Sequence, residues 1–139
     1  MKITFPAIAI CNRDSFLVVD AITELERCST LGWQNGYYRH LGLFDSAGIY
    51  WSINAKVEKE PTILDRLLNR KIAVHLTLGE PELDNMSRAV GEVCELVDSD
   101  PDDLYCQFLE HSELKRRFLA ACNPHEFINL ARTLGGNGC

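Results

Sequence analysis

The order of apolar and polar side chains divides the chain into a first half of short alternating runs and a second half with helical period. Ile49, Trp51, Ile53, Ala55 and Val57 alternate with Tyr50, Ser52, Asn54 and Lys56, the period-two pattern of a half-buried strand. Just upstream, Asp45 and Gly48 occupy the first and last places of a type I turn, positions that those residues favour. The stretch GLFDSAGIYWSINAK (42–56) therefore predicts a hairpin, with GYYRHLGLFD as its first arm. KITFPAIAI and SFLVVD are two earlier strand-like runs, parted by the turn-rich Asn12-Arg13-Asp14. Pro6 cannot donate to a sheet ladder, which places the first strand at an edge or a bulge. AITELERCS sets Ile22, Leu25 and Cys28 at helical spacing with Asp20 as N-cap. TILDRLLNR predicts a short helix with Ile63, Leu64, Leu67 and Leu68 on one side. KIAVHLTL returns to alternation, with Ile72, Val74, Leu76 and Leu78 facing one way.

Beyond residue 78 the period changes to three and four. Leu83, Met86, Val90, Val93 and Val97 form one apolar stripe, and Pro81 suits a first helical turn. Asp84, Arg88 and Glu92 follow one another at i, i+4 on the polar side. Gly91 lies inside this helix at a cost near 1 kcal/mol, which points to close packing against a strand. Shorter helices are expected around Leu104–Glu110, over Glu113–Cys122 and over Pro124–Leu134. Strands first and helices afterwards argue for an α+β fold. We expect a single mostly antiparallel sheet of four to five strands in the N-terminal half, packed by C-terminal helices on one face. Neither a linker nor an internal repeat interrupts the chain, so residues 1–139 read as one domain with 135–139 as a frayed tail.

Charge changes this picture more than composition does. The 139 residues carry a formal net charge of −6, and the whole excess lies in the second half. From Glu80 to Glu113 eleven acids stand against Arg88 alone. Such a field repels nucleic acid and attracts basic proteins, although a solvated helical face has the same composition. No apolar run approaches the roughly 20 residues of a membrane span. The start, MKITFPAIAICNRDSF, makes a poor signal peptide, because Pro6 interrupts it and Arg13 and Asp14 follow. A cytoplasmic protein is expected. Its six dispersed cysteines then read as reduced thiols, mostly small buried apolar groups.

Several stretches look like chemistry and have plainer grammar. CNPHEF (122–127) brings a thiol, an imidazole and a carboxylate together, as a nucleophile or a metal site would. Yet Asn123 suits an N-cap, Pro124 a first helical residue and Glu126 the capping-box position, which turns His125 outward. DSDPDD (98–103) alternates acids as a calcium loop does. It has Asp103 where the glycine belongs and Leu109 where the closing glutamate belongs. The closing GGNGC follows a helix and so cannot cradle phosphate at a helix start. His40, His75, His111 and His125 show no i, i+4 ligand pair, although His40 and His75 could meet across a sheet. Lys115-Arg116-Arg117 is too short for a nucleic-acid patch and could pair with nearby acids. No catalytic residue, cofactor site or metal site is assigned.

The order of two short strands, DAITELERCS, NGYYRHL and LFDSAGIYWSINAKV resembles small bacterial immunity proteins encoded beside polymorphic or contact-dependent growth-inhibition toxins. The resemblance rests on an early helix from Asp20 through Leu25 and Cys28, and on a hairpin carrying Asp45, Ser46, Gly48, Tyr50, Ile53 and Ala55. An alternating strand and a helical tail follow, here KIAVHLTL and SELKRRFLAACNPHEFINLARTL. Its specific part is residues 20–55, and the cysteine content and Gly91 depart from the pattern. The resemblance implies a non-enzymatic protein that neutralises the C-terminal domain of a cognate toxin, with a basic nuclease as one possible target. It carries over no catalytic residue. On that reading the acids Glu92, Glu95, Asp98, Asp100, Asp102 and Asp103 would steer association. Tyr50 would anchor the contact if the sheet face it occupies is open, and would be core if helices cover that face. The expected state is a monomer that binds no nucleic acid and no membrane. Two other readings stay open: a small thiol-dependent enzyme or redox sensor, and a homo-oligomeric adaptor that pairs through a strand edge.

Overall fold

The computed structural model describes residues 2–11, 15–83, 85–98 and 111–134. Five strands, β1 (Ala7–Cys11), β2 (Ser15–Val19), β4 (Leu41–Asp45), β5 (Tyr50–Lys56) and β7 (His75–Glu82), form one antiparallel sheet in the order β2-β1-β4-β5-β7. Two shorter strands, β3 (Arg27–Ser29) and β6 (Lys71–Ala73), pair antiparallel as a separate ribbon. The helices are α1 (Thr30–Gln34), α2 (Ile63–Leu68), α3 (Met86–Asp98), α4 (His111–Leu119) and α5 (Pro124–Leu134). The α+β architecture expected from the sequence is the one observed, with the ribbon as an addition.

The expected hairpin is β4–β5, and one side chain fixes its turn. Gly48 N–H donates to the Asp45 carbonyl at 3.1 Å, and Gly48 has φ +85°, a conformation open to glycine at little cost. The Asp45 carboxylate is fully buried. Its Oδ1 accepts from the Ala47 and Ile49 N–H groups, both at 3.0 Å. Its Oδ2 accepts from Trp51 Nε1 at 3.0 Å and from the Thr4 N–H at 3.2 Å. Four donors on one carboxylate tie the turn, the returning strand and the chain's beginning together.

Alternation along the strands gives the sheet two apolar faces, and both are covered. Ile8, Ile10, Phe16, Phe44 and Tyr50 face α3, α4 and α5, whose Val93, Val97, Leu114, Phe118, Phe127 and Ile128 complete one core. Phe118 stands edge-on to Phe16 (centroids 6.2 Å, 88°) and to Phe127 (5.7 Å, 87°), a geometry that aromatic quadrupoles favour. On the other face Ala7, Ala9, Leu43, Trp51 and Ile53 pack under Leu25, Cys28, Tyr38 and Val74.

Several local expectations are corrected. Residues 20–28 do not form an α-helix; a 3-10 turn, Ile22–Leu25, runs into β3. Asp20 is not its cap: the Glu24 carboxylate accepts the Asp20 and Ala21 N–H groups instead, and Asp20 pairs with Arg132 at 2.6 Å. Pro6 precedes β1, which lies between β2 and β4 and not at an edge. Residues 36–40 are turns, so the first arm of the hairpin begins at Leu41, and His40 lies outside any strand. Pro81 belongs to β7, an edge strand that tolerates it. Leu83 then lies beyond the stripe and is exposed. Gly91 is exposed, with nothing within 4 Å of where a Cβ would stand, so close packing does not explain it. The fourth helix ends at Leu119, short of Cys122. The helix expected at Leu104–Glu110 and the 135–139 tail lie outside the described residues.

Candidate interaction surfaces

Helix α2 is held by its ends. Thr62 Oγ1 accepts the Asp65 N–H at 3.1 Å and Asp65 Oδ2 accepts the Thr62 N–H at 2.9 Å, a reciprocal capping box. At the other end Asn69 adopts the left-handed conformation (φ 47°), which stops a helix. The Asn69 Oδ1 accepts the Leu31 N–H at 2.9 Å, and the Arg70 carbonyl accepts both the N–H and the hydroxyl of Thr30, at 2.9 and 2.6 Å. These bonds fasten α2 to α1 at the end of the β3–β6 ribbon.

Its apolar side faces outward. Ile63 is 75% exposed, Leu64 51%, Leu67 77% and Leu68 58%, and the neighbouring Leu31 is 55% exposed. At 3.6 residues per turn the four helical positions span an arc of about 140°. The one partly buried residue of the helix is Asp65, the polar one. This inverts the usual rule that an amphipathic helix turns its apolar stripe to the core. The sequence shows the stripe but not its direction. The signal available was its flanks: Glu58-Lys59-Glu60 before it and Asn69-Arg70-Lys71 after it offer no adjoining apolar partner.

The acidic side is largely self-neutralised where it is described. Glu92 accepts the Tyr50 hydroxyl at 2.7 Å and pairs with Arg88 at 3.1 Å, and Arg88 also pairs with Glu82 at 2.7 Å. The Arg88 guanidinium lies 4.2 Å over the Tyr50 ring, a cation–π contact. Tyr50 is 4% exposed. Helices do cover its face, so the ring is core and not an exposed anchor. Burial first, then the adjacent Glu92 carboxylate, holds its phenol well above the ordinary range. The position depends on Gly42 in the neighbouring strand, where a Cβ would meet the Tyr50 oxygen at 2.1 Å. Asp98 pairs with Lys115 at 2.7 Å. Glu113 pairs with Arg116 at 2.5 Å and Arg117 at 3.2 Å, and these two arginines pull its carboxyl down to about 2. The cations of the Lys115–Arg117 run thus pair with nearby acids. Glu95 is exposed on α3. Asp100, Asp102 and Asp103 lie outside the described residues, as does Asp84.

The apparent chemistry of CNPHEF resolves as a cap. Asn123 Oδ1 accepts the Glu126 N–H at 2.8 Å, while the Glu126 carboxylate reaches back to the Cys122 N–H at 3.2 Å. His125 is exposed. Cys122 is also exposed, whereas Cys11, Cys28 and Cys94 are buried. Burial raises the Cys94 thiol. His75 pairs with Glu58 at 2.8 Å. Among the described residues, no group of three or more His, Cys, Asp and Glu side chains is placed to hold a metal ion, and no helix is long and apolar enough to cross a membrane. An open cavity of about 360 Å³ is lined by Trp33, Gly36, Tyr38, Arg39, Asn54 and Ala55. Tyr38 spends its hydroxyl on the Leu25 carbonyl at 2.8 Å. Comparison with protein-family models, with curated proteins and with solved structures finds no match to this chain.

Proposed function

We propose that this chain is a non-enzymatic immunity protein, which acts by binding the C-terminal domain of a cognate toxin and blocking it. The observation that carries a protein-binding role is α2, a helix capped at both ends whose aliphatic side chains are directed to solvent. Aliphatic surface held out of the core in this way gains nothing from burial until a partner covers it, and contiguous exposed patches of this kind mark interaction sites. The α+β architecture agrees with what the resemblance to immunity proteins implies. Long-range attraction to a basic domain follows from the net charge of −6.

The test is neutralisation. The open reading frame beside this one should encode a large protein with a toxic C-terminal domain. Co-expression of the present chain should restore growth, and the two should co-elute as a stable complex. A neighbouring product without toxicity, or a toxic domain that the chain neither binds nor neutralises, would overturn the reading.

A further inference from the structure

We infer that in the free protein a second copy of this chain covers the α2 face, with the two helices antiparallel about a two-fold axis. This goes beyond the toxin reading, because it names what lies on α2 before any toxin is present. It also departs from the monomer expected from the sequence, which shows the stripe but not its exposure. The face is two rows of aliphatic side chains, Ile63 with Leu67 and Leu64 with Leu68, each spaced i, i+4, with Leu31 beside them. The other large exposed hydrophobics among the described residues stand on separate elements: Leu78 in β7, Leu83 just past it and Leu119 at the end of α4. None belongs to a stripe, so within this chain the apolar counterpart of α2 is α2 itself.

The charges around the stripe are ordered along it. Before the helix Glu58 and Glu60 flank Lys59, and all three are exposed; Glu58 also hydrogen-bonds the His75 imidazole at 2.8 Å. Past the helix midpoint come Arg66, Arg70 and Lys71, exposed as well, with no acid among residues 66–71. Asp65 lies between the two groups: it caps the helix through Thr62, and Arg70 and Lys59 both act on its carboxylate. Counted with either end, and with His75 neutral, it leaves the first end net acidic and the second net basic. A two-fold axis across the stripe turns the second copy end for end, so stripe meets stripe and each acidic end meets a basic one, twice per dimer. Parallel helices would instead set Arg66, Arg70 and Lys71 against their own copies. A foreign protein fits α2 only by presenting the same order of acid, aliphatic and base in reverse, whereas a second copy presents it by symmetry. An anionic membrane surface attracts the basic end and repels the other. The apolar patch is a few hundred Å² per copy, less than the about 800 Å² per partner of a standard interface, so the dimer is weak and reversible.

Sedimentation equilibrium of the full chain, over about a hundredfold range of concentration reaching the submillimolar values that a weak interface needs, tests this. The average mass should climb from one chain towards two and stop there. Three variants alter only exposed side chains, and circular dichroism checks that each folds. Leu64→Ser/Leu67→Ser should weaken dimerisation by about tenfold or more. Glu58→Lys/Glu60→Lys and Arg66→Glu/Lys71→Glu should each weaken it by about tenfold alone, and an equimolar mixture of these two should dimerise again, because their ends are once more opposite in sign. A mass that stays at one chain throughout overturns the inference, and loss of the toxin domain or of phosphatidylserine vesicles by the serine variant would then give the face to that occupant. A dimer that survives the serine variant overturns it too, since another surface, such as the β7 edge, then holds the copies together. Charge variants that pair alone as well as the parent overturn the antiparallel arrangement. The measurement needs no toxin, so a failure of neutralisation strikes the functional reading alone.

Discussion

Replacing Asp45 by asparagine removes one oxygen from a carboxylate that accepts four hydrogen bonds in a fully buried position. Whichever way the new amide is turned, its NH2 confronts two donors. One orientation opposes the Ala47 and Ile49 N–H groups of the turn. The other opposes Trp51 Nε1 and the Thr4 N–H. A buried donor left without an acceptor costs about 1–3 kcal/mol, and the loss of charge weakens the two bonds that survive. We therefore expect about 2–5 kcal/mol of destabilisation, a large share of the roughly 5–15 kcal/mol that holds a domain folded. Urea unfolding at neutral pH, followed by far-ultraviolet circular dichroism, measures it. Trp51→Phe gives an internal control, because it deletes one of the four donors. Its cost should be smaller in the Asp45→Asn background than in the parent, by 1 kcal/mol or more, as expected of directly coupled groups. An Asp45→Asn variant within about 0.5 kcal/mol of the parent, or strict additivity with Trp51→Phe, would show that the carboxylate is not the hub described.

Gly42→Ala should cost about 1–3 kcal/mol by overpacking, since its Cβ would meet the Tyr50 oxygen and ring; shortening the opposing side chain with Tyr50→Val should recover part of that loss in chemical unfolding. Gly91→Ala should instead raise the unfolding free energy by roughly 0.5–1 kcal/mol, because its position in α3 is open; no gain in chemical unfolding would mean that the helix is not formed there. Asp20, Asp65, Glu82 and Glu113 are held below their ordinary carboxyl values by Arg132, Thr62, Arg88 and Arg116 respectively. Their contribution is present above the unfolded-state values, near pH 4, and is lost as pH falls through the depressed ones, to about pH 2 for Glu113. Stability should decline across that interval, less steeply in Glu113→Gln and in high salt, and a flat profile would contradict the pairing. Of the four described cysteines, Cys122 should label rapidly with a thiol reagent and Cys11, Cys28 and Cys94 only slowly; rapid labelling of a buried thiol would contradict the packing described around it.

What could be read from the sequence was whatever a single segment decides. The β4–β5 turn follows from Asp45 and Gly48, and the start of α5 follows from Asn123, Pro124 and Glu126; in each case the needed atoms lie within five residues. The sheet's strand order needed pairings between distant segments, so β1 appeared as an edge although β2 and β4 flank it. The 20–28 segment has helical spacing, but Cys28 pairs opposite Ile72 in the ribbon, and that tertiary contact overrides the local preference. For the candidate surface the stripe of α2 was legible and its outward direction was not. Periodicity states that one side is apolar; only the fold states what lies against it. The Glu92–Tyr50 bond was hidden for a related reason, because the hydroxyl that donates to this carboxylate comes from residue 50.

The β3–β6 ribbon joins residues 27–29 to residues 71–73 without belonging to the main sheet. It carries α1 and α2 as an outlying unit whose side chains contribute little to the core beneath the C-terminal helices. Substitutions at the exposed positions of α2, such as Ile63, Leu64, Leu67 and Leu68, can accumulate without disturbing the register of the five strands. A lineage obliged to track a changing opponent would gain from such a separation. Specificity could drift on the outlying helix while the sheet keeps the chain foldable, and two descendants could share a scaffold yet recognise different targets.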